Sequence, residues 1–212
     1  MPHEETPVAK VALACAAFLD TLEPGLLAEA RRRRSSTAFW RMRARHAETI
    51  GSNEDAWKDC VRILAVLTHK GQPEARMPLH NPRRRLGSVL CDGGDAGWPR
   101  ELKLNEKPRP WLTELRFARL LAARGSQRPV QVERIARALA RSLVRGGTGD
   151  LAEHDGAGKR LAASVSGPGV NVADIAWALL NPGNTDDLAR HYYDRLDRAE
   201  RKTGKERERA DA

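Results

Sequence analysis

Apolar residues recur at intervals of three and four along most of the chain, a pattern typical of amphipathic helices. The first such stretch, 8–22, carries Val8, Val11, Cys15, Phe18 and Leu22 at this spacing. Helices are predicted over 8–22, 26–34, 39–47, 52–67, 84–90, 111–124, 130–145, 159–165, 172–180 and 186–202. No stretch alternates Val, Ile or Thr with polar residues as a half-buried strand would. We therefore predict an all-α protein.

Proline and glycine divide this helical pattern into two halves. Six of the twelve prolines lie between positions 71 and 110, and Gly93-Gly94 interrupts the middle of that interval. Such residues are typical of connections between packed units. We expect an N-terminal helical bundle over 1–94 and a C-terminal helical bundle over 95–202, packed together and followed by a disordered charged tail over 203–212. A loop is expected over 146–170.

Charge points to a polyanionic partner. The 37 basic and 28 acidic residues give a formal net charge of +9, and 29 of the basic residues are arginine. The planar guanidinium group can form two hydrogen bonds to one phosphate. The net positive charge also attracts a polyanion, and salt reduces the range of this attraction. Nucleic acid is the leading partner class, with a coding bias toward arginine as the alternative explanation of the excess.

The remaining composition indicates a protein of the reducing cytoplasm. The three cysteines, Cys15, Cys60 and Cys91, are odd in number and too far apart for a disulfide framework or a zinc site. Lys10 and Asp20 interrupt the apolar stretch 8–22, so we expect neither an export signal nor a membrane span.

The first candidate binding segment is the basic run from 31 to 45, which contains seven arginines and no acid, with Phe39 and Trp40 among them. Mutual repulsion makes such a run costly unless an anion is bound. We predict phosphate contacts here, against the alternative of a solvated surface. The candidate residues are Arg31, Arg32, Arg33, Arg34, Arg41, Arg43 and Arg45.

The second candidate is a ridge on the predicted helix 130–145. At 100° per residue, Val132, Ile135 and Leu139 share one side of this helix, and four arginines share the opposite side. Glu133 is the one acid nearby, so compensating pairs at four-residue spacing are missing. The predicted phosphate contacts are Arg134, Arg137, Arg141 and Arg145, and the alternative is the ordinary wet side of a core helix.

Enzyme chemistry has no support in the sequence. The glycines at 146–149 lack the spacing of a phosphate loop and the Lys-Ser or Lys-Thr that follows one. The six histidines are scattered, without the spacing of metal ligands. We expect no catalytic residue, no cofactor and no metal site.

Four segments, in the same order along the chain, resemble the small subunit of the type I-E CRISPR Cascade surveillance complex, the CasB family. They are Pro-Gly-Leu-Leu-Ala-Glu-Ala-Arg-Arg at 24–32, Arg-Leu-Gly-Ser-Val-Leu at 85–90, Glu-Leu-Arg-Phe-Ala-Arg-Leu-Leu at 114–121 and Leu-Ala-Arg-His-Tyr-Tyr at 188–193. The sequence departs from the family at Leu188, where a Trp is common, and near 171–173, where an Asp-Trp pair is missing.

The resemblance implies a helical, non-catalytic subunit of an antiviral ribonucleoprotein. Two copies of this subunit would brace the guide RNA and target DNA and hold the displaced strand of the R-loop beside the other Cascade subunits. It assigns basic contacts to Arg31, Arg32, Arg116 and Arg119.

A helix-turn-helix DNA-binding regulator is the rival hypothesis. In it, 172–180 and 186–193 flank an Asn-Pro-Gly-Asn turn, and the second helix enters the major groove. Asp186 and Asp187 stand against it, because they begin the helix that would approach the phosphates.

Overall fold

The computed structural model describes residues 5–95, 97–99, 106–146 and 169–210, apart from the side chains of 142–146 and 205–210. Across these ranges the chain forms ten α-helices and a 3₁₀ turn at Pro73–Ala75. The described ranges contain no β-strand, only one isolated bridge between His80 and Val170. The all-α prediction is confirmed.

The helices follow the apolar periodicity closely. They are α1 (Pro7–Asp20), α2 (Pro24–Arg32), α3 (Thr37–Arg45), α4 (Ala47–Gly51), α5 (Glu54–Leu67), α6 (Leu86–Asp92), α7 (Glu114–Ala122), α8 (Gln127–Gly146), α9 (Val172–Leu180) and α10 (Asp186–Ala210). The prediction for α9 matches to the residue. Helix α4 is an addition, and the predicted helix 159–165 and most of the predicted loop 146–170 lie outside the described residues.

Short polar side chains begin several of these helices. Thr6 accepts a hydrogen bond from the Ala9 amide at 3.2 Å, and Ser36 accepts one from Phe39 at 3.3 Å. Asn171 does the same for Ala173 at 3.0 Å. Each bond satisfies an amide that has no partner within its own helix, which explains why the elements begin where they do.

Helix α5 is the centre of the molecule. Its side chains Trp57, Cys60, Ile63 and Leu64 are fully buried. Helices α1, α2, α8 and α9 all pack against it. Because α5 holds helices from both ends of the chain, it determines where their outer faces point.

The two predicted bundles share a single hydrophobic core in the described part of the chain. Helix α1 packs on α9 and α6 packs on α10, so helices from before and after Gly93-Gly94 are interleaved. Gly87 lets α6 and α10 approach closely, because a β-carbon there would lie 2.3 Å from the Leu188 carbonyl oxygen. Helix α10 also continues to Ala210, through residues predicted as a disordered tail.

Candidate nucleic-acid interface

The arginine ridge predicted on α8 lies on the solvent side of that helix. Val132, Ala136 and Leu139 are buried, whereas Arg134, Arg137 and Arg141 are exposed. From Arg134 to Arg141 the helix rises about 10 Å, two turns, so the three groups form a line along its axis. The side chain of Arg145, the fourth predicted member, lies outside the described residues.

The expectation that this helix lacks compensating pairs at four-residue spacing is wrong, because Glu133 pairs with Arg137 of the ridge. The Glu133 Oε1 atom accepts a hydrogen bond from Arg137 Nη2 at 2.7 Å, and its Oε2 atom accepts one from Arg62 Nη2 of α5. The Glu133 side chain is 14% exposed and that of Arg137 is 57% exposed. The carboxylate therefore lies beneath the surface, while the arginine above it reaches solvent.

Arg62 continues this ion-pair network across α5 toward the first candidate segment. It lies 3.7 Å from Asp59 Oδ1, and Arg34 Nε donates to the same oxygen at 2.7 Å. Asp59 is buried, and the Arg34 side chain is 46% exposed. The network thus runs Arg34–Asp59–Arg62–Glu133–Arg137, with Asp59 buried, Glu133 partly buried and the two end arginines exposed.

Arg34 and Arg137 are therefore the two exposed ends of one ion-pair network. Charges in the network alternate in sign, so the two exposed ends are both positive. The side-chain hydrogen bond to Asp59 raises the pKa of Arg34, which stays a cation. The structure links the basic run to the α8 ridge through Asp59 and Arg62 of α5, a connection that spacing along the sequence did not indicate.

Arg31 is occupied inside the fold. Its Nε donates to the Ala65 carbonyl at 2.8 Å and its Nη2 to the Thr68 carbonyl at 2.7 Å, at the end of α5. Burial, together with the nearby Arg76, lowers the pKa of Arg31. A cation at a helix C-terminus satisfies the last carbonyl groups and interacts favourably with the helix dipole. Arg31 therefore has a structural role that needs no bound nucleic acid.

Two further arginines of the basic run also have internal contacts. Arg43 pairs with Glu54 at 3.4 Å and donates to the Ala47 carbonyl at 3.2 Å. The Arg45 guanidinium lies 5.0 Å from the centre of the Phe18 ring on α1, as in a cation–π contact. The acids that balance the run come from α5, eleven to twenty-five residues later in the chain.

The other predicted contacts are exposed and have no side-chain partner among the described residues. Those on α2, its following turn and α3 are Arg32, Arg33 and Arg41, and those on α7 are Arg116 and Arg119. On α8, Arg134 and Arg141 share this property. Seven guanidinium groups are thus available to an external anion.

Three further arginines that are not among the predicted contacts have structural roles. Arg85 forms a two-point pair with Asp174 of α9, which also accepts the Leu86 amide at the start of α6. Arg195 pairs with Asp92 at 2.9 Å. Arg128, 1% exposed, donates to the Ala178 and Leu120 carbonyls, and burial lowers its pKa to about 10.

The packing of α9 and α10 differs from that expected of a helix-turn-helix motif with an open recognition helix. The first turn of α10 begins with Asp186 and Asp187, and Asp187 pairs with Arg190. Further along, α10 packs on α6, with Tyr192 fully buried. The face of α10 that contacts α6 is therefore occupied within the chain.

Metal and membrane signatures are missing from the described ranges. No cluster of three or more His, Cys, Asp or Glu side chains there is arranged to hold a metal ion. None of the described helices combines the length and apolar character that a membrane crossing requires. The exposed arginines remain the most prominent chemical feature of the surface.

No protein-family model matches the sequence, and neither a curated protein nor a solved structure matches it.

Proposed function

We propose that this protein is a non-catalytic nucleic-acid-binding subunit of a CRISPR RNA-guided surveillance complex. It binds guide RNA, target DNA and the displaced strand through arginine–phosphate contacts. The observation that supports this proposal is the exposed stripe Arg134, Arg137 and Arg141 on α8, opposite a buried apolar face. Two of these three arginines have no partner among the described residues.

The arrangement suits binding to a phosphate backbone. Guanidinium groups one to two turns apart offer hydrogen bonds and charge, and each phosphate they neutralise releases condensed counterions. Such contacts position a strand without identifying its bases. In a guide-directed complex the bases are read by pairing with the RNA, so a subunit of this kind needs no base-specific contacts.

The resemblance to the CasB family supports the assembly part of the proposal. Arg116 and Arg119, which the resemblance assigns as basic contacts, are both exposed on α7. Arg32, from the first similar segment, is exposed as well. The proposed partners are guide RNA, target DNA, the other Cascade subunits and a second copy of this chain, in the cytoplasm.

A salt titration tests the phosphate contacts. The double variant R134A/R141A is compared with the wild type for binding to single-stranded DNA over a range of KCl concentrations. We expect the slope of log K against log [KCl] to flatten by about 0.7 per lost contact. The matched control is R198A/R201A on α10, where the same two charges are lost from a surface that also carries Asp194, Asp197 and Glu200.

The two double variants remove equal net charge, so only the placement of the arginines differs between them. A flatter slope for R134A/R141A alone supports the α8 ridge as a binding surface. Equal slopes in all three proteins would exclude the ridge from the site. Copurification of the tagged chain with a small RNA and larger protein subunits tests the assembly, and purification without either contradicts it.

A further inference from the structure

Trp40 is a large aromatic side chain held at the surface of α3. It is 51% exposed, whereas its neighbour Phe39 is fully buried. The Phe39 ring meets Trp40 edge-on, with ring centres 5.1 Å apart and an interplanar angle of 67°. Lys58 Nζ lies 5.9 Å from the centre of the Trp40 ring. The indole is therefore supported from within the fold and still presents about half its surface to solvent.

Lys58 is the cation that contacts this ring, and it pairs with Glu54 at 2.8 Å. Arg41 follows Trp40 on α3, and Arg33 lies in the turn between α2 and α3; both are exposed, with no side-chain partner among the described residues. Lys58 also pairs with Asp55, which in turn lies 3.9 Å from Arg34. Trp40 is thus linked by direct contacts to the Arg34 end of the ion-pair network that leads to α8.

We infer that Trp40 is a stacking platform for an unpaired base of a single-stranded nucleic acid. This inference rests on the proposed function and adds a base contact to its phosphate contacts. A flat π-face between cations is the arrangement that single-strand binders use, because the arginines hold the phosphates while the ring stacks on a base. Stacking is available to every base, so the contact selects single strands without selecting sequence.

The surrounding charge distinguishes a nucleic acid from a protein partner. Exposed tryptophans at protein interfaces are usually surrounded by apolar neighbours and a polar rim. The Trp40 ring is contacted by the cation Lys58, and two arginines, Arg41 and Arg43, follow it within three residues. Contacts through Lys58, Asp55 and Arg34 also connect Trp40 with the ion-pair network that ends at Arg137 of α8.

The test compares two oligonucleotides with the same number of phosphates: a fifteen-residue oligo(dT) and an abasic strand of equal length. The wild-type protein is expected to bind oligo(dT) about tenfold more tightly than the abasic strand. W40A is expected to lose this difference without a change in the salt slope for either strand. W40F keeps an aromatic ring and serves as the matched control, with most of the difference retained.

The outcomes separate this inference from the proposed function. Equal affinity of the wild type for both strands, with a steep salt slope, would overturn the stacking platform and leave the phosphate contacts in place. A lack of binding to either strand would overturn both. Unchanged DNA binding by W40A, combined with loss of a protein complex on size-exclusion chromatography, would assign Trp40 to a protein contact and refute the inference.

Discussion

Glu133 of α8 accepts a hydrogen bond from Arg62 of α5 on one carboxylate oxygen, while its other oxygen accepts one from Arg137 of the ridge. The pair with Arg62 joins two helices that are seventy-one residues apart in sequence. One partly buried acid therefore links the packing of α8 with the charge of its exposed face. A substitution of Glu133 is therefore expected to change stability and nucleic-acid binding in opposite directions.

We expect E133Q to lower the free energy of unfolding by about 1–3 kcal/mol, measured by urea titration. The neutral amide cannot balance the Arg62 guanidinium, whose Nε already lacks a partner among the described residues. The same variant is expected to bind single-stranded DNA more tightly, because Arg137 loses its internal carboxylate. E48Q, an equal chemical change at an exposed site, should alter stability by less than about 0.5 kcal/mol. Weaker DNA binding by correctly folded E133Q would argue against a role for Arg137.

Two neighbouring arginines of the basic run are expected to behave differently. R31A removes the donors to the Ala65 and Thr68 carbonyls and should lower the free energy of unfolding by about 1–3 kcal/mol. R33A removes an exposed side chain, so it should leave stability within about 0.5 kcal/mol and flatten the salt dependence of DNA binding by about 0.7. Thermal unfolding and the KCl titration give both quantities. Equal loss of stability in the two variants would contradict this division.

The close approach of α6 and α10 predicts a strong effect at Gly87. In G87A the new β-carbon would lie 2.3 Å from the Leu188 carbonyl oxygen and 2.8 Å from the Tyr192 amide nitrogen, both in the backbone of α10. The helices must separate, which should cost about 1–3 kcal/mol or more in urea unfolding. G25A on α2, where a β-carbon meets nothing within 4 Å, should be neutral or stabilising by up to about 1 kcal/mol. A G87A protein with unchanged stability would contradict the close approach of α6 and α10.

His191 on α10 should make stability depend on pH. Burial lowers its pKa below 6.5, and Arg85 and Arg190 act in the same direction, opposed by Asp174 and Asp187. As the pH falls through 6.5, the unfolded chain therefore takes up this proton first, and the free energy of unfolding decreases. In H191Q the decrease between pH 7.5 and pH 5.5 should be smaller than in the wild type. H69Q, at an exposed position, is the control, and an identical pH profile in H191Q and the wild type would contradict the prediction.

The sequence predicted what depends on local periodicity. The apolar stripe of α5 and the opposing apolar and arginine faces of α8 follow from residue spacing, because a helix rotates each residue by a constant angle. The bounds of α9 follow from the cap at Asn171 and the turn after Leu180. By contrast, α4 was not predicted, since five residues are too few to show a period.

The partners of the arginines depend on tertiary packing and were not predictable. The run 31–45 contains no acid, yet Arg34 and Arg43 are balanced by Asp59 and Glu54 of α5. Arg31 is held by carbonyl groups, which have no signature in sequence. One available signal was the three-residue spacing of Asp59 and Arg62 on the central helix α5, because charged residues on a largely buried helix need partners from elsewhere.

The packing of α1 on α9 has a consequence for the order of folding during synthesis. The apolar face of the first helix is completed by residues 172–180, so a growing chain on the ribosome cannot bury that face until most of the protein has emerged. Contacts between such distant segments delay folding and leave hydrophobic surface open to aggregation in the meantime. Chains that terminate before α9 are therefore expected to depend on chaperones or to be degraded.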